Sequence, residues 1–259
     1  MSASPIAPSL PSRAGASDAT NSATSAPAVP DLFDLGRQAA AMRDARWGAR
    51  ASFARSKQLL ATGAWRGPRD AAESYVELAD LAALGGWAAA AQAAVHLLVG
   101  PADAADVSMH RAAAQAGARS IWRVPYRAGE SAETRRARIE ALREHLRGGD
   151  SPWGVMPSPV GEPEGLDTLC LVATLRLQLP EVPHLLLDVA ALGPRLAQMA
   201  LGFGGDELWA PIVSERALRL GANASNPAMT RKEAVVLIQG AGLTAAERTG
   251  PDRYSEEPA

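Results

Sequence analysis

The sequence predicts an α/β protein built as a shortened or partial (β/α) barrel, and three observations carry that expectation. In the second half, short apolar runs alternate with amphipathic stretches at the spacing of successive βα units, which lays the strands parallel. The run His184-Leu185-Leu186-Leu187 is continuously apolar, as in strands covered on both faces. Hydrophobic residues make up 47% of 259, enough for a substantial core.

Met1 to Pro30 is rich in Ala, Ser, Pro and Thr and almost uncharged, so it is expected to be a disordered tail. Residues 31–46, with Leu32, Leu35, Ala39 and Met42 at helical spacing, read as an amphipathic helix. Residues 47–68 are ambiguous. A second helix is expected from Pro68 to about Leu84, stopped by Gly85-Gly86. Val95 to Val99 reads as a strand closed by Gly100-Pro101, and Asp103 to Ala116 as a helix stopped by Gly117. Ser120 to Val124 follows as a strand, and Ser131 caps a helix from Ala132 to Arg147. Trp153 to Met156 is a short strand cut off by Pro157, and Gly165 to Leu179 a helix with Leu169, Val172 and Leu175 on one stripe. After the strand at His184–Leu187, Pro194 opens a helix to Leu201, and Thr230-x-x-Glu233 is a capping box for a last helix. The domain is thus expected over 31–248, with 249–259 a second disordered tail.

With 26 basic and 28 acidic residues the formal charge is −2, which disfavours a nucleic-acid coat, although 24 of the 26 cations are arginine. The arginines at 135, 136, 138, 143 and 147 are interleaved with Glu133, Glu140 and Glu144, the pattern of a salt-bridged solvated face. The one cysteine, Cys170, excludes a disulfide framework or a multi-cysteine metal site, and the four histidines show no metal-ligand spacing; no metal and no cofactor are expected. No apolar run approaches a bilayer span and no secretory leader is recognisable, so a soluble cytoplasmic protein is expected.

Several stretches carry a resemblance: His110-Arg111-Ala112-Ala113; Tyr126 to Leu146; Gly165-Leu166-Asp167; Pro183-His184; Leu192-Gly193-Pro194-Arg195-Leu196-Ala197-Gln198 through Gly202-Phe203-Gly204-Gly205-Asp206; and Glu247-Arg248. In collinear order over about residues 104–248, they resemble the radical-SAM enzymes of the futalosine route to menaquinone, such as aminofutalosine synthase and dehypoxanthine futalosine cyclase. The resemblance implies a barrel of the radical-SAM type. It also implies a CxxxCxxC loop after the first strand, whose thiolates hold an iron–sulfur cluster. This sequence departs there: the corresponding stretch reads Ala51-Ser52-Phe53-Ala54-Arg55-Ser56-Lys57, without cysteine. Only about 50 residues separate it from His110, too few for four further βα units of about 30 residues each.

Ligands of βα barrels bind where strands end, which singles out Tyr126, Arg127 and Glu130 after one strand, Ser158 after the next and Asp188 after the third as ligand-binding candidates; no catalytic residue is assigned. The structural alternative is that Glu130 favours a helix N-terminus and Asp188 is solvated. The leading expectation is a non-catalytic relative, a pseudoenzyme acting as an accessory or ligand-binding protein in or beside menaquinone synthesis. The alternative is a cofactor-free acid–base enzyme acting on a nucleoside-like small molecule through Glu130 or Asp188. If the first half of the barrel is abbreviated, the strands ending at Val124, Met156 and Leu187 lose a neighbour. Either a partner (a second copy or a catalytic radical-SAM homologue) covers that edge, or segment 57–103 does. Nucleic acid and membrane are not expected as partners.

Overall fold

The computed structural model describes residues 31–69, 71–101, 106–149, 152–214, 228–250 and 253–256. The stretch expected to be an N-terminal tail, 1–30, lies outside them. Asp31 opens α1 (Leu32–Trp47) by accepting the N–H of Phe33, and the helix, with Gly36, Ala39 and Arg43 buried, packs on the helix Gly165–Gln178. Next come β1 (Arg50–Ala54) and β2 (Ser56–Leu59), one extended run broken only at Arg55. They lead to β3 (Trp65–Arg66), β4 (Glu73–Glu77), the short helices α2 (Leu78–Leu81) and α3 (Trp87–Gln92), and β5 (Leu97–Pro101). From there strands and helices alternate: α4 (Val107–Gln115), β6 (Arg119–Tyr126), α5 (Ala132–Arg147), β7 (Gly154–Pro159), α6 (Gly165–Gln178) and β8 (His184–Asp188). The remainder is α7 (Val189–Leu192), α8 (Pro194–Leu201), β9 (Glu207–Trp209), β10 (Ile212–Val213), β11 (Met229–Thr230), α9 (Arg231–Gly240), β12 (Thr244–Gly250) and β13 (Arg253–Glu256).

Eleven of these strands form one sheet in the order β13-β12-β1-β9-β8-β7-β6-β5-β4-β2-β3. Every pairing is parallel except the two outermost, β2 with β3 and β12 with β13. Because β1 pairs with β9 and β12 while its continuation β2 pairs with β4, distant parts of the order meet on a single run of chain. The sheet therefore curls into a partial barrel. Side chains alternate across it. Leu97, Val99, Ile121, Met156, Leu186 and Trp209 fill the inside, while Phe53, Trp122, Val124, Val155, Leu185 and Leu187 pack outward under the helices.

The first half differs from expectation. The helix foreseen over Pro68–Leu84 is replaced by β4 and the single turn of α2. Ser74 and Val76 face outward while Glu73, Tyr75 and Glu77 face inward, a period of two whose inner face is polar. Nor are the early strands missing: β2, β4 and β5 stand between β1 and β6, and it is their connecting helices that are abbreviated. Strand β6 is accordingly flanked by β5 and β7, so of the two coverings considered for that edge the chain's own strand β5 supplies one. The C-terminal stretch expected to be disordered from residue 249 instead completes β12 and returns as β13, with Tyr254 reaching the ring of Trp47 at 6.5 Å. Among the described residues, no helix is long and apolar enough to cross a membrane.

Candidate functional site

Parallel strands bring their carboxyl ends to one rim of the barrel, the mouth, and their amino ends to the opposite rim, the floor. Five inward side chains meet at the mouth: Tyr75 and Glu77 from β4, Arg123 from β6, Asp188 from β8 and Trp209 from β9. Arg123 donates from Nη2 and Nε to the two carboxylate oxygens of Glu77 at 2.7 and 3.3 Å, and its Nη1 lies 3.6 Å from Asp188 Oδ2. Asp188 also accepts the N–H of Ala190 at 3.0 Å, capping α7. The Tyr75 ring meets Trp209 edge-on at 5.0 Å. Burial pushes the Glu77 carboxyl above the usual carboxylate range against the pull of Arg123, and burial, aided by Glu77, raises the Tyr75 phenol. Two carboxylates share one guanidinium here. Beside them Arg66, Gln58, Tyr75 and Trp209 line a cavity of about 60 Å³.

The floor is a second polar layer. Arg248 of β12 is fully buried and donates to both Glu73 and Glu207, at 2.6 Å to Glu207 Oε1. Ser56 Oγ donates to Glu73 at 2.7 Å and Ser52 Oγ to Glu207 at 2.9 Å, while the guanidinium lies 4.5 Å from the centre of the Trp153 ring. Nearby, buried Asp206 accepts from Arg176, from His184 Nδ1 at 2.6 Å and from the N–H of Leu185 at 2.6 Å.

No family model matches the chain. Over 84 residues it is 32% identical to the aminodeoxyfutalosine synthase of Thermus thermophilus, a stretch that is 32% of this chain and only 23% of that protein. Among solved structures, methylornithine synthase (PylB) superposes with a TM-score of 0.60 at 12% identity, over 84% of this chain and 90% of that one. HydG, a maturase of the FeFe-hydrogenase, gives 0.58 at 10% identity, over 85% of this chain and 70% of that one. The fold is thus the partial α/β barrel that these two structures share.

A radical-SAM barrel implies a thiolate-bound cluster after its first strand, and the residues here do not fit one. The run β1–β2 continues straight into a tight turn, Leu60 to Ala64, whose Gly63 N–H donates to Leu60 O at 2.8 Å, and returns as β3. The turn offers leucine, alanine and threonine side chains, none of them a ligand for iron. The chain's one thiol, Cys170, sits half-buried on α6 with Arg135 Nη1 donating to it at 3.5 Å.

The ligand-binding candidates chosen from sequence divide between two surfaces. Asp188 and Ser158 lie on inward positions, Asp188 within the mouth cluster and Ser158 half-buried on β7. Tyr126 points outward, buried, its hydroxyl 2.6 Å from Thr168 Oγ1 on α6. Arg127 is exposed, and Glu130 is held by both nitrogens of Arg138 at 2.6 and 2.8 Å, on the helical layer, which lowers its pKa despite burial. Sequence reasoning missed Tyr75, Glu77, Arg123 and Trp209. One signal was available: Arg123 is a lone charge inside the apolar strand Ile121-Trp122-Arg123-Val124, which needs a buried partner.

Proposed function

We propose that this chain is a radical-SAM-type barrel without radical-SAM chemistry, acting as an accessory protein in or beside the futalosine route to menaquinone. The observation that supports this reading is the β2–β3 hairpin standing where three thiolates are needed, in a chain whose one cysteine lies on an outer helix. The partner in this reading is a catalytic radical-SAM homologue, with self-association as the other arrangement. A nucleoside-like ligand would keep most of its bulk outside the barrel, because the mouth cavity of about 60 Å³ holds only a few atoms. The test is sedimentation of the chain alone and with a full-length aminodeoxyfutalosine synthase, coupled to that enzyme's turnover. Co-sedimentation with altered turnover supports an accessory role; two independent species and unchanged turnover remove it.

One observation favours the alternative, a cofactor-free acid–base enzyme. Glu77 is pushed towards its protonated form while Asp188 stands on the other side of Arg123, and a pair of carboxyls in unlike environments is the usual arrangement for an acid and a base. Glu130, the other base considered from sequence, is neutralised by Arg138 and leaves that role to Asp188 and Glu77.

A further inference from the structure

We propose that the barrel mouth takes an oxyanion of the carboxylate or phosphate class on Arg66, the inward cation of the β2–β3 hairpin. The inference rests on the mouth's being the ligand site of the acid–base reading, and it adds the chemistry of the ligand. Arg66 stands opposite Gln58 across the hairpin, and Gln58 stands opposite Tyr75, so the three side chains share the inner face of the sheet. With Trp209 they line the mouth cavity of about 60 Å³. The hairpin's other cation is turned away: Lys57 lies on the outer face, its Nζ 4.6 Å from the centre of the Trp65 ring. The backbone at Gly67 approaches Ser56 and Lys57 too closely to admit a Cβ, which seats the strand bearing Arg66 firmly on β2.

The polar groups around the cavity decide the ligand class. The acids nearby are already engaged, Glu73 by Ser56 and Arg248, and Glu77 by Arg123, which also faces Asp188. None of the three carboxylates is among the described residues that line the cavity. Arg66 has no ion pair and no side-chain hydrogen bond among the described residues, although its charge reaches the Tyr75 phenol. The Tyr75 hydroxyl, kept protonated by burial, donates to Gln58 Oε1 at 3.4 Å, so the amide N–H groups of Gln58 are the edge left for a ligand. The cavity therefore offers donors, a guanidinium fork and an amide, beside the apolar wall of Trp209. A carboxylate or phosphate brings the matching acceptors and the opposite charge. Arg66 is exposed, so the group enters from solvent, and the small cavity leaves the rest of its carrier outside the barrel.

The experiment follows the Arg66 Nε–H and the Trp209 indole N–H by NMR in the full chain, with acetate, with inorganic phosphate, and with chloride at matched ionic strength. Saturable shifts at both residues with acetate or phosphate, and none with chloride, support the site; the tighter of the two anions identifies the source. Arg66→Gln should weaken that binding about tenfold, read at Trp209, the loss expected for a charge-assisted hydrogen bond. Arg66→Lys, which keeps the charge without the fork, should retain part of it. Binding alone is read, so a mouth without acid–base turnover still gives the expected result, and the two readings fail separately. No saturable shift with either anion, an equal response to chloride, or unchanged affinity in Arg66→Gln overturns the proposal.

Discussion

In the floor cluster Arg248 is ion-paired with two carboxylates, Glu73 and Glu207. Replacing it with methionine leaves Glu73 and Glu207 buried and facing each other, and the expected loss is about 3–5 kcal/mol in denaturant unfolding. Adding Glu73→Gln and Glu207→Gln to that variant should recover part of the loss, since the cost lies in the stranded charges. Glu77 behaves differently with pH. Its carboxyl titrates above the unfolded value, so its contribution is fully present below the unfolded pKa and is lost as pH rises through the folded one. The destabilisation caused by Glu77→Gln should therefore shrink as pH rises above the ordinary carboxylate range; a destabilisation that grows with pH would mean the Arg123 pair outweighs burial. For Asp206 the sign is reversed: its pKa is depressed, so its contribution holds above the unfolded value and is lost only as pH falls further into acid.

Among the elements, the β2–β3 hairpin is tied down by close backbone approach. Gly67 has φ +123°, and a Cβ there would lie 2.9 Å from both the Lys57 Cα and the Ser56 carbonyl oxygen. Gly67→Val should lift the hairpin and cost about 1–3 kcal/mol, read by thermal unfolding. Cutting the chain after Gly250 removes β13, opens the β12 edge and takes Tyr254 from Trp47. A fall in the unfolding midpoint is expected, at about 2–4 °C per kcal/mol for a domain of this size. An unchanged midpoint would return that segment to the status of a dispensable tail. The second half of the chain was legible because its elements obey local rules. Ser131 caps α5 by accepting from the Thr134 N–H, Thr230 and Glu233 close the foreseen capping box, and His184–Leu187 is a strand covered on both faces. The first half was not, and for a physical reason. Strand β4 turns Glu73, Tyr75 and Glu77 into the barrel, where Arg248 and Arg123 neutralise the acids from far along the chain. Charged inner positions hide a strand from hydrophobic periodicity, and the same positions make up the mouth and the floor. Asp188 and Ser158 were found because position at a strand end suffices to name them; Tyr75, Glu77, Arg123 and Trp209 required the pairing.

Across the whole molecule, an apolar layer of Leu97, Val99, Ile121, Met156 and Leu186 separates the two polar ends of the barrel. Some of the stretches that carry the family resemblance meet at the floor: Pro183-His184 and Gly204-Gly205-Asp206 join through the His184–Asp206 contact, with Arg176 bound to the Gly204 carbonyl, and Arg248 ties the sheet beside them. These groups hold the barrel shut at the end away from the mouth. A chain can keep them, and with them the fold, while the cluster loop beyond the first strand becomes a hairpin. Stability and chemistry are assigned to opposite rims of such barrels, so one can be kept without the other. The direct test is anaerobic reconstitution of the full chain with iron and sulfide, followed by reductant and S-adenosylmethionine. No stoichiometric iron–sulfur absorption and no deoxyadenosine are expected. A reproducible cluster in every chain, with S-adenosylmethionine cleaved, would contradict that expectation.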